Sequence, residues 1–282
     1  MATQFNQIHP SALETKNKEA KSCLDACVKG FFINGEGKEI NINNLLNNCL
    51  ANTKAYAPDY QFHVIPVGGE DCKIEIRNES ILDAVYRLVI TEGRQNVCAL
   101  NAANAFYPGG SFRTEARAPE ETLCRSSALY YSLIQKPEYY DYNMMKGSKA
   151  ASNYIIYSQD CPTWKVGNYK VLNEPFLVSY ISSSPVDRWG SKPEDDEKLN
   201  EMNDERIKSI LLCAIENGVK NLVLGAYGCG AYRNDPAVIS ETFRKYLIDQ
   251  NLKSHFQYIT FSITGLSRNI EAFQNTFHIH AV

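Results

Sequence analysis

The sequence predicts an α/β protein with a mostly parallel sheet sandwiched between helices and an N-terminal helical extension, and three observations predict it. Short apolar runs such as Val97-Cys98-Ala99-Leu100 and Leu222-Val223-Leu224 lack alternation, so they read as strands buried on both faces. Segments of helical period lie between such runs, as parallel pairing demands of its crossovers. Two of the strand ends pass into glycine-bearing segments that each lead to a helix.

Taken in order, residues 1–15 read as a loose lead-in and 15–28 as a helix. Residues 30–37 suit a turn within a short extended stretch. A second helix over 40–54 is predicted by the spacing of Ile42, Leu45, Leu46, Cys49 and Leu50. After Asp59 the rhythm changes to strands at 62–67 and 73–76, then a helix over 81–91 with Ser80 as cap and Asp83 near its positive end. A strand at 97–101, a helix over 119–133 and strands at 154–158 and 176–181 follow. Tyr139-Tyr140-Asp141-Tyr142 reads as a partly buried surface loop and 187–201 as a polar one. A helix over 203–217 ends at Gly218, a strand covers 222–225, Asp235-Pro236 opens another helix, and 256–263 is the last strand. The division expected is an extension, 1–59, packed on a core of 60–282, with one domain overall.

Composition narrows the function. Of 282 residues, 44% are hydrophobic and 22% charged, and the net charge of −3 supplies no broad basic field for nucleic acid. No run approaches the roughly 20 apolar residues of a membrane span. Residues 1–16 lack the apolar stretch of a secretory signal, so the expected location is cytoplasmic. Nine cysteines without a CxxC pair read as free thiols, several of them buried, rather than as zinc ligands. None of the five histidines lies in a glycine loop, and His278-Ile279-His280 sits at the C-terminus. No metal and no cofactor are expected.

The chemistry concentrates in two loops. The first begins at Asn101, passes Asn104 and reaches Gly109-Gly110-Ser111; the second runs from Gly225 through Gly228-Cys229-Gly230-Ala231-Tyr232 to Asp235-Pro236. Glycines let backbone N–H groups approach a phosphate, and a helix N-terminus beyond them favours an anion. Turns in any α/β protein also use glycine. Neither loop carries GxxxxGK[ST], and the first lacks GxGxxG, so P-loop and dinucleotide-binding readings are set aside.

After Ser111 and seven intervening residues the chain reads Pro119-Glu120-Glu121, then Leu123-Cys124-Arg125-Ser126-Ser127. With Leu100-Asn101-Ala102-Ala103 before the loop, Gln159-Asp160-Cys161-Pro162, and Leu224-Gly225-Ala226-Tyr227-Gly228-Cys229-Gly230-Ala231-Tyr232 closing in Asn234-Asp235-Pro236, this text resembles the bacterial-type poly(ADP-ribose) glycohydrolases, a branch of the macrodomain superfamily. The resemblance covers about residues 22–275. It implies a macrodomain-like mixed, mostly parallel sheet. That family's signature is Gly-Gly-Gly followed by Gln-Glu-Glu, so Ser111 and Pro119 depart from it. The departures are expected to bear on cleavage of the polymer more than on ADP-ribose binding or hydrolysis in general.

By the same resemblance Glu121 protonates the leaving oxygen of a ribose–ribose or ribose–protein bond, as glycoside hydrolysis requires of a carboxylic acid. Glu120 accepts hydrogen bonds from ribose hydroxyls, residues 228–232 take the diphosphate, and Tyr232 lies beside the distal ribose. On residues alone, two glutamates at a helix start are an ordinary solvated end favoured by the dipole. Asn101 and Asn104 would orient ribose or adenosine, or merely satisfy the turn. Asp235 suits a helix N-cap better than a ligand. The implied partner is ADP-ribose, poly(ADP-ribose) or an ADP-ribosylated protein, with the chain acting as a monomer, without membrane or direct nucleic-acid binding. Two other readings stand beside the hydrolase: a non-catalytic ADP-ribose reader, and another module binding a nucleotide diphosphate.

Overall fold

The computed structural model of the chain describes residues 15–63, 69, 71–148, 150–265 and 267–279. Helix α1 (Lys18–Lys29) starts at Asn17, whose side-chain oxygen accepts the N–H groups of Glu19 and Ala20, and ends at Gly30 in the left-handed conformation, φ 77°. An antiparallel pair, β1 (Phe31–Ile33) and β2 (Glu39–Asn41), precedes α2 (Asn43–Ala51). The helix expected over 40–54 is thus shorter at both ends. Residues 39–41 pair with 31–33, and Lys54–Tyr56 leave the helix as β3, which joins the main sheet beside Ile155–Tyr157. The N-terminal extension therefore supplies an edge strand as well as helices.

The main sheet adds β4 (Lys73–Arg77), β5 (Val97–Ala102), β6 (Ile155–Val166), β7 (Lys170–Ser183), β8 (Asn221–Leu224) and β9 (Tyr258–Ser262), in the order β3-β6-β7-β5-β8-β9-β4. Strands β7, β5, β8, β9 and β4 run parallel, and β6 is antiparallel to both its neighbours. The sheet is mixed and mostly parallel, as the sequence predicts. Alternate residues of β5 divide between two cores. Val97 and Ala99 face a layer containing α1, α2, α3 (Ile81–Tyr86), α4 (Pro119–Ser126), α5 (Leu129–Leu133) and α6 (Pro137–Lys146). Cys98 and Leu100 face the layer of α7 (Asp196–Glu216), α8 (Pro236–Arg244) and α9 (Ser267–Phe277).

Four expectations need correction. The tyrosine-rich 139–142 segment is part of α6 rather than a surface loop, with Tyr139 and Tyr140 buried because their rings pack into the first core. The last six residues of the polar 187–201 segment, 196–201, already belong to α7; their charges mark a solvated helical face. The helix over 119–133 breaks at Ser127, where the backbone turns extended and bridges Thr163 of β6. Strands β6 and β7 run far beyond 154–158 and 176–181, because they pair as a long hairpin whose outer half mixes polar and apolar residues without a strand period. Helix α9 lacked a sequence expectation. The strand expected at 62–67 lies outside the described residues from 64 onward, and Phe62 and His63 are not in a strand; residues 1–14 and His280 are also outside them. Eight of the nine cysteines are buried free thiols, and Cys72 is half-buried. No helix among the described residues is long and apolar enough to cross a membrane.

The connection leaving β7 is held by one side chain of α7. The Arg206 guanidinium is fully buried and donates to the carbonyls of Ser184 (2.6 Å) and Ala150 (2.9 Å) and to Asn153 Oδ1 (3.2 Å). Truncation would orphan two buried carbonyls and open a cavity. Arg206→Ala is expected to lower unfolding free energy by about 3 kcal/mol in urea titration; a loss under about 1 kcal/mol would contradict this role.

Candidate active site

A cleft of about 650 Å³ crosses the carboxyl ends of the parallel strands, where open α/β sheets bind ligands. Strand order sets its two ends. Asp187 and Trp189, after β7, line one end; Thr264, after β9, lies at the other with Asn269 of α9 and with Ser80 and Ile81 at the start of α3. Between them, the loop after β5 faces the loop after β8. Glu120 and Glu121 also line the cleft, on the first turn of α4.

The first loop is a cradle for these two carboxylates. The Asn104 N–H donates to Glu120 Oε2 at 2.7 Å, and the Ser111 N–H donates to Glu121 Oε1 at 3.0 Å. The Gly109 N–H lies close enough to Glu120 to favour its charged form. Gly109 (φ 70°) and Gly110 (φ 57°) both take left-handed backbone. A Cβ on Gly110 would stand 2.7 Å from Glu121 Oε1 and 3.1 Å from Glu120 Oε2. Gly110 thus serves the approach of backbone to carboxylate, and a Cβ on Gly109 would instead meet Phe112, Cys124 and Tyr130. Residues 109–111, expected to contact substrate, are not among those that line the cleft.

Burial dominates the electrostatics. Glu120 is 4% exposed and Glu121 8%. Desolvation, reinforced by the charge of Glu121, pushes the Glu120 carboxyl up to about 8 against the bonds from Asn104, Asn101 and Gly109 that favour its ionised form. Glu121 Oε2 is buried without a hydrogen-bond partner among the described residues. Such an atom is costly unless something else meets it.

The second loop has the opposite character. The amides of Gly230, Ala231 and Tyr232 donate to no described residue, so they remain available to an anion. Buried Asn234 braces the loop: its Nδ2 donates to the carbonyls of Val186 (2.8 Å) and Gly228 (3.2 Å), and its Oδ1 accepts from Asn203 (2.8 Å) and Arg188 (2.9 Å). Gly228 needs its positive φ of 72° and its missing Cβ, which would meet Asn234 Nδ2 at 2.5 Å. Tyr232 donates its hydroxyl to the Ala103 carbonyl at 3.2 Å, tying the second loop to the first. Asp235 caps α8 through the Ala237 N–H at 2.8 Å.

Besides residues 109–111, Asn101 and Cys229 do not line the cleft. Asn101 is fully buried behind Glu120, donating to Ser182 Oγ at 3.0 Å and lying 3.5 Å from Glu120 Oε1. Cys229 is fully buried with its sulfur toward the Tyr227 carbonyl, a small residue under the turn. Asn104 does line the cleft, but its Oδ1 holds the turn by accepting from Phe106 and Tyr107. Sequence reading missed Ser80, Ile81, Trp189, Thr264 and Asn269 as cleft residues. Asn269 is 5% exposed with an unpartnered Oδ1. Only the strand order brings these segments together, although Ser80 was legible as a cap. Among the described residues, no three of His, Cys, Asp or Glu converge as metal ligands.

The departures from the family pattern have structural accounts. Position 111 supplies an N–H and its φ is not left-handed, so serine meets the requirement that glycine meets elsewhere in the loop. Pro119 is at N1 of α4, where no backbone N–H is needed. Gly110→Ala is expected to displace both carboxylates and cut turnover roughly 10²-fold. Gly230→Ala, with nothing within 4 Å of the added carbon, should leave thermal stability within about 0.5 kcal/mol of the parent. Equal turnover of Gly110→Ala and the parent enzyme would rule out the cradle.

Residues 20–166 match the family described as microbial-type PARG, catalytic domain. No curated protein matches the chain significantly. Among solved structures, poly(ADP-ribose) glycohydrolase from Thermomonospora curvata is 29% identical, with a TM-score of 0.86 over 92% of this chain and 98% of that one. The same enzyme bound to the inhibitor ADP-HPD is similar at 28% identity and TM-score 0.83, covering 91% and 97%. Poly(ADP-ribose) glycohydrolase from Deinococcus radiodurans in complex with ADP-ribose is 28% identical, with a TM-score of 0.74 over 82% and 96%. With the family match spanning over half of the chain and its glycine loop and paired glutamates, this chain belongs to the microbial-type poly(ADP-ribose) glycohydrolase catalytic domain family.

Proposed function

We propose that this ADP-ribosyl hydrolase cleaves the O-glycosidic bond of a terminal ADP-ribose with Glu121 as the general acid. The observation that carries the assignment is the Glu121 carboxyl itself. One oxygen is fixed by the Ser111 N–H, and the other is buried at the cleft without a partner. A proton on that second oxygen would face the leaving group. ADP-ribose would lie along the cleft with its diphosphate on the free amides of 230–232, its distal ribose between the carboxylates and Tyr232, and its adenosine toward Ile81 and Asn269.

Glu121 gives its proton to the leaving oxygen as the C–O bond at the anomeric carbon breaks. The oxocarbenium-like centre takes a water, whose proton returns to Glu121. Glu120 accepts from ribose hydroxyls and holds them in register. A competing acid is Glu120, favoured by the upward shift of its carboxyl to about 8. Its Oε2 is already held by Asn104, however, and its Oε1 faces Asn101. An ADP-ribose reader remains the second class of function, and release of ADP-ribose separates it from a hydrolase.

Glu121→Gln is expected to bind ADP-ribose as the parent does while turnover falls roughly 10²–10⁴-fold. Assays on poly(ADP-ribose) and on mono-ADP-ribosylated protein check this. Unchanged turnover, with Glu120→Gln inactive, would transfer the acid role to Glu120. No release from either substrate by the parent protein, with ADP-ribose bound tightly, would establish a reader.

The shifted carboxyl also links stability to pH. Folded Glu120 keeps its proton to about 8, whereas the unfolded group loses it near 4.5, so the folded state binds more protons between those values. Stability from this group is full below that window and falls as pH rises through it. Glu120→Gln should therefore melt higher than the parent, by a margin that widens from pH 5 to pH 8. A margin that is constant or narrows would show that Glu120 is already ionised in the folded protein.

A further inference from the structure

The cradle loop is gripped a second time, by a side chain the reaction does not use. Arg125 stands one turn after Glu121 on α4, so the two share a helix face. Arg125 is 1% exposed, and each of its three guanidinium nitrogens is engaged. Nε donates to the Phe112 carbonyl at 2.7 Å, Nη2 to the Thr114 carbonyl at 2.9 Å and Nη1 to the Tyr169 hydroxyl at 3.1 Å. Just ahead of those carbonyls in the same loop, the Ser111 N–H donates to Glu121 Oε1 at 3.0 Å. One helix face therefore meets both polarities of segment 111–114, the amide with a carboxylate and the carbonyls with a guanidinium. The buried Phe112 ring, 4.5 Å from that of Tyr130, anchors the segment from below. The far end of α4 is tied to α1, because the Cys23 thiol donates to the carbonyls of Cys124 (3.3 Å) and Ser127 (3.0 Å).

Tyr169 reaches this unit from outside it. It lies in the tip of the β6–β7 hairpin, between the paired Val166 and Lys170. Its φ of 61° is left-handed, where glycine or asparagine is the ordinary choice and a ring carries a cost. A bulky residue kept in such backbone points to a use for its side chain. The long hairpin thus ends against the guanidinium that holds the cradle loop. Hydrogen bonds of this kind fix direction as well as distance, since they weaken steeply when bent. The Phe112 carbonyl belongs to the peptide group two along from the Ser111 N–H, so holding one limits the tilt of the other.

We infer that Arg125 is a positioning residue for the hydrolysis, with Tyr169 securing its guanidinium. Together they keep the Ser111 amide on one oxygen of Glu121, which leaves the other to carry the proton toward the leaving group. Neither residue lines the cleft, and neither does any of 111–114, so the effect falls on turnover rather than on substrate affinity. This inference rests on the hydrolase reading, and it adds to that site the residues that aim its acid.

The test uses the full chain, with poly(ADP-ribose) and a mono-ADP-ribosylated peptide as substrates. Arg125→Lys keeps the charge but replaces a planar fork with a single ammonium. It should lower kcat roughly 10²-fold while KM and ADP-ribose affinity stay within about twofold of the parent. Tyr169→Phe keeps the ring and loses only the hydroxyl, so it should lower kcat about fivefold in the same manner; it decides alone if Arg125→Lys does not fold. In a Glu121→Gln background neither substitution should lower the residual rate further, since no acid is left to aim. The same loss in both backgrounds would reduce Arg125 to a structural support and overturn the inference. Amide hydrogen exchange reads the clamp without turnover. In either variant exchange at Ser111 should quicken about tenfold or more, while Asn104, whose N–H serves Glu120, keeps its parent rate. Equal acceleration at both amides, or none at Ser111, would also overturn it. A parent protein that releases no ADP-ribose would refute the hydrolase reading alone, because exchange at Ser111 still decides whether Arg125 positions the amide.

Discussion

Two adjacent buried carboxylates are the constraint on which the rest of the site depends. Bringing Glu120 and Glu121 out of water beside each other is unfavourable, and the protein offsets this with backbone amides rather than with cations. That solution dictates the first loop. A Cβ at position 110 would stand 2.7 Å from Glu121 Oε1, closer than such contacts come, which accounts for Gly110 more directly than any ligand does. It also leaves the charge balance incomplete, so Glu120 holds its proton far above the ordinary carboxyl range. An arginine in the same place would have kept both groups ionised and useless as acids.

The two glycine loops look alike as text and do different work. The first directs its amides inward, at the enzyme's own acids. The second leaves consecutive amides unbound among the described residues and is braced from behind by Asn234, which joins it to the β7 loop and to α7. Preorganised donors of this kind need not rearrange when an anion arrives, which is where much electrostatic catalysis originates. Tyr232 ties the loops together through the Ala103 carbonyl, so the carboxylate cradle and the second loop share one frame.

The departures at 111 and 119 illustrate how a motif differs from its physical requirement. A glycine in a signature can be needed for a left-handed backbone, for a close approach, or for neither. Ser111 falls in the last group, since its N–H does what is needed. Pro119 keeps the helix start and removes only a side-chain amide. The acids therefore remain placed in a chain whose signature is imperfect.

Much of this protein was legible in its sequence. Apolar runs such as 97–101 and 222–225 and the caps at Ser80, Gly218 and Asp235 follow from local physics, because burial on both faces and helix capping leave period and residue type as direct traces. The ordered text around Glu120 and Glu121 pointed to the family. Tertiary structure alone decided three things. It turned 54–56 into a strand of the main sheet, since an edge strand is defined by its partner. It placed Asn101 and Cys229 behind the site rather than in it, since burial is a property of the packed fold. And it brought Trp189, Ile81 and Asn269 to one cleft, because residues so far apart in the chain meet only through the order in which the strands lie side by side.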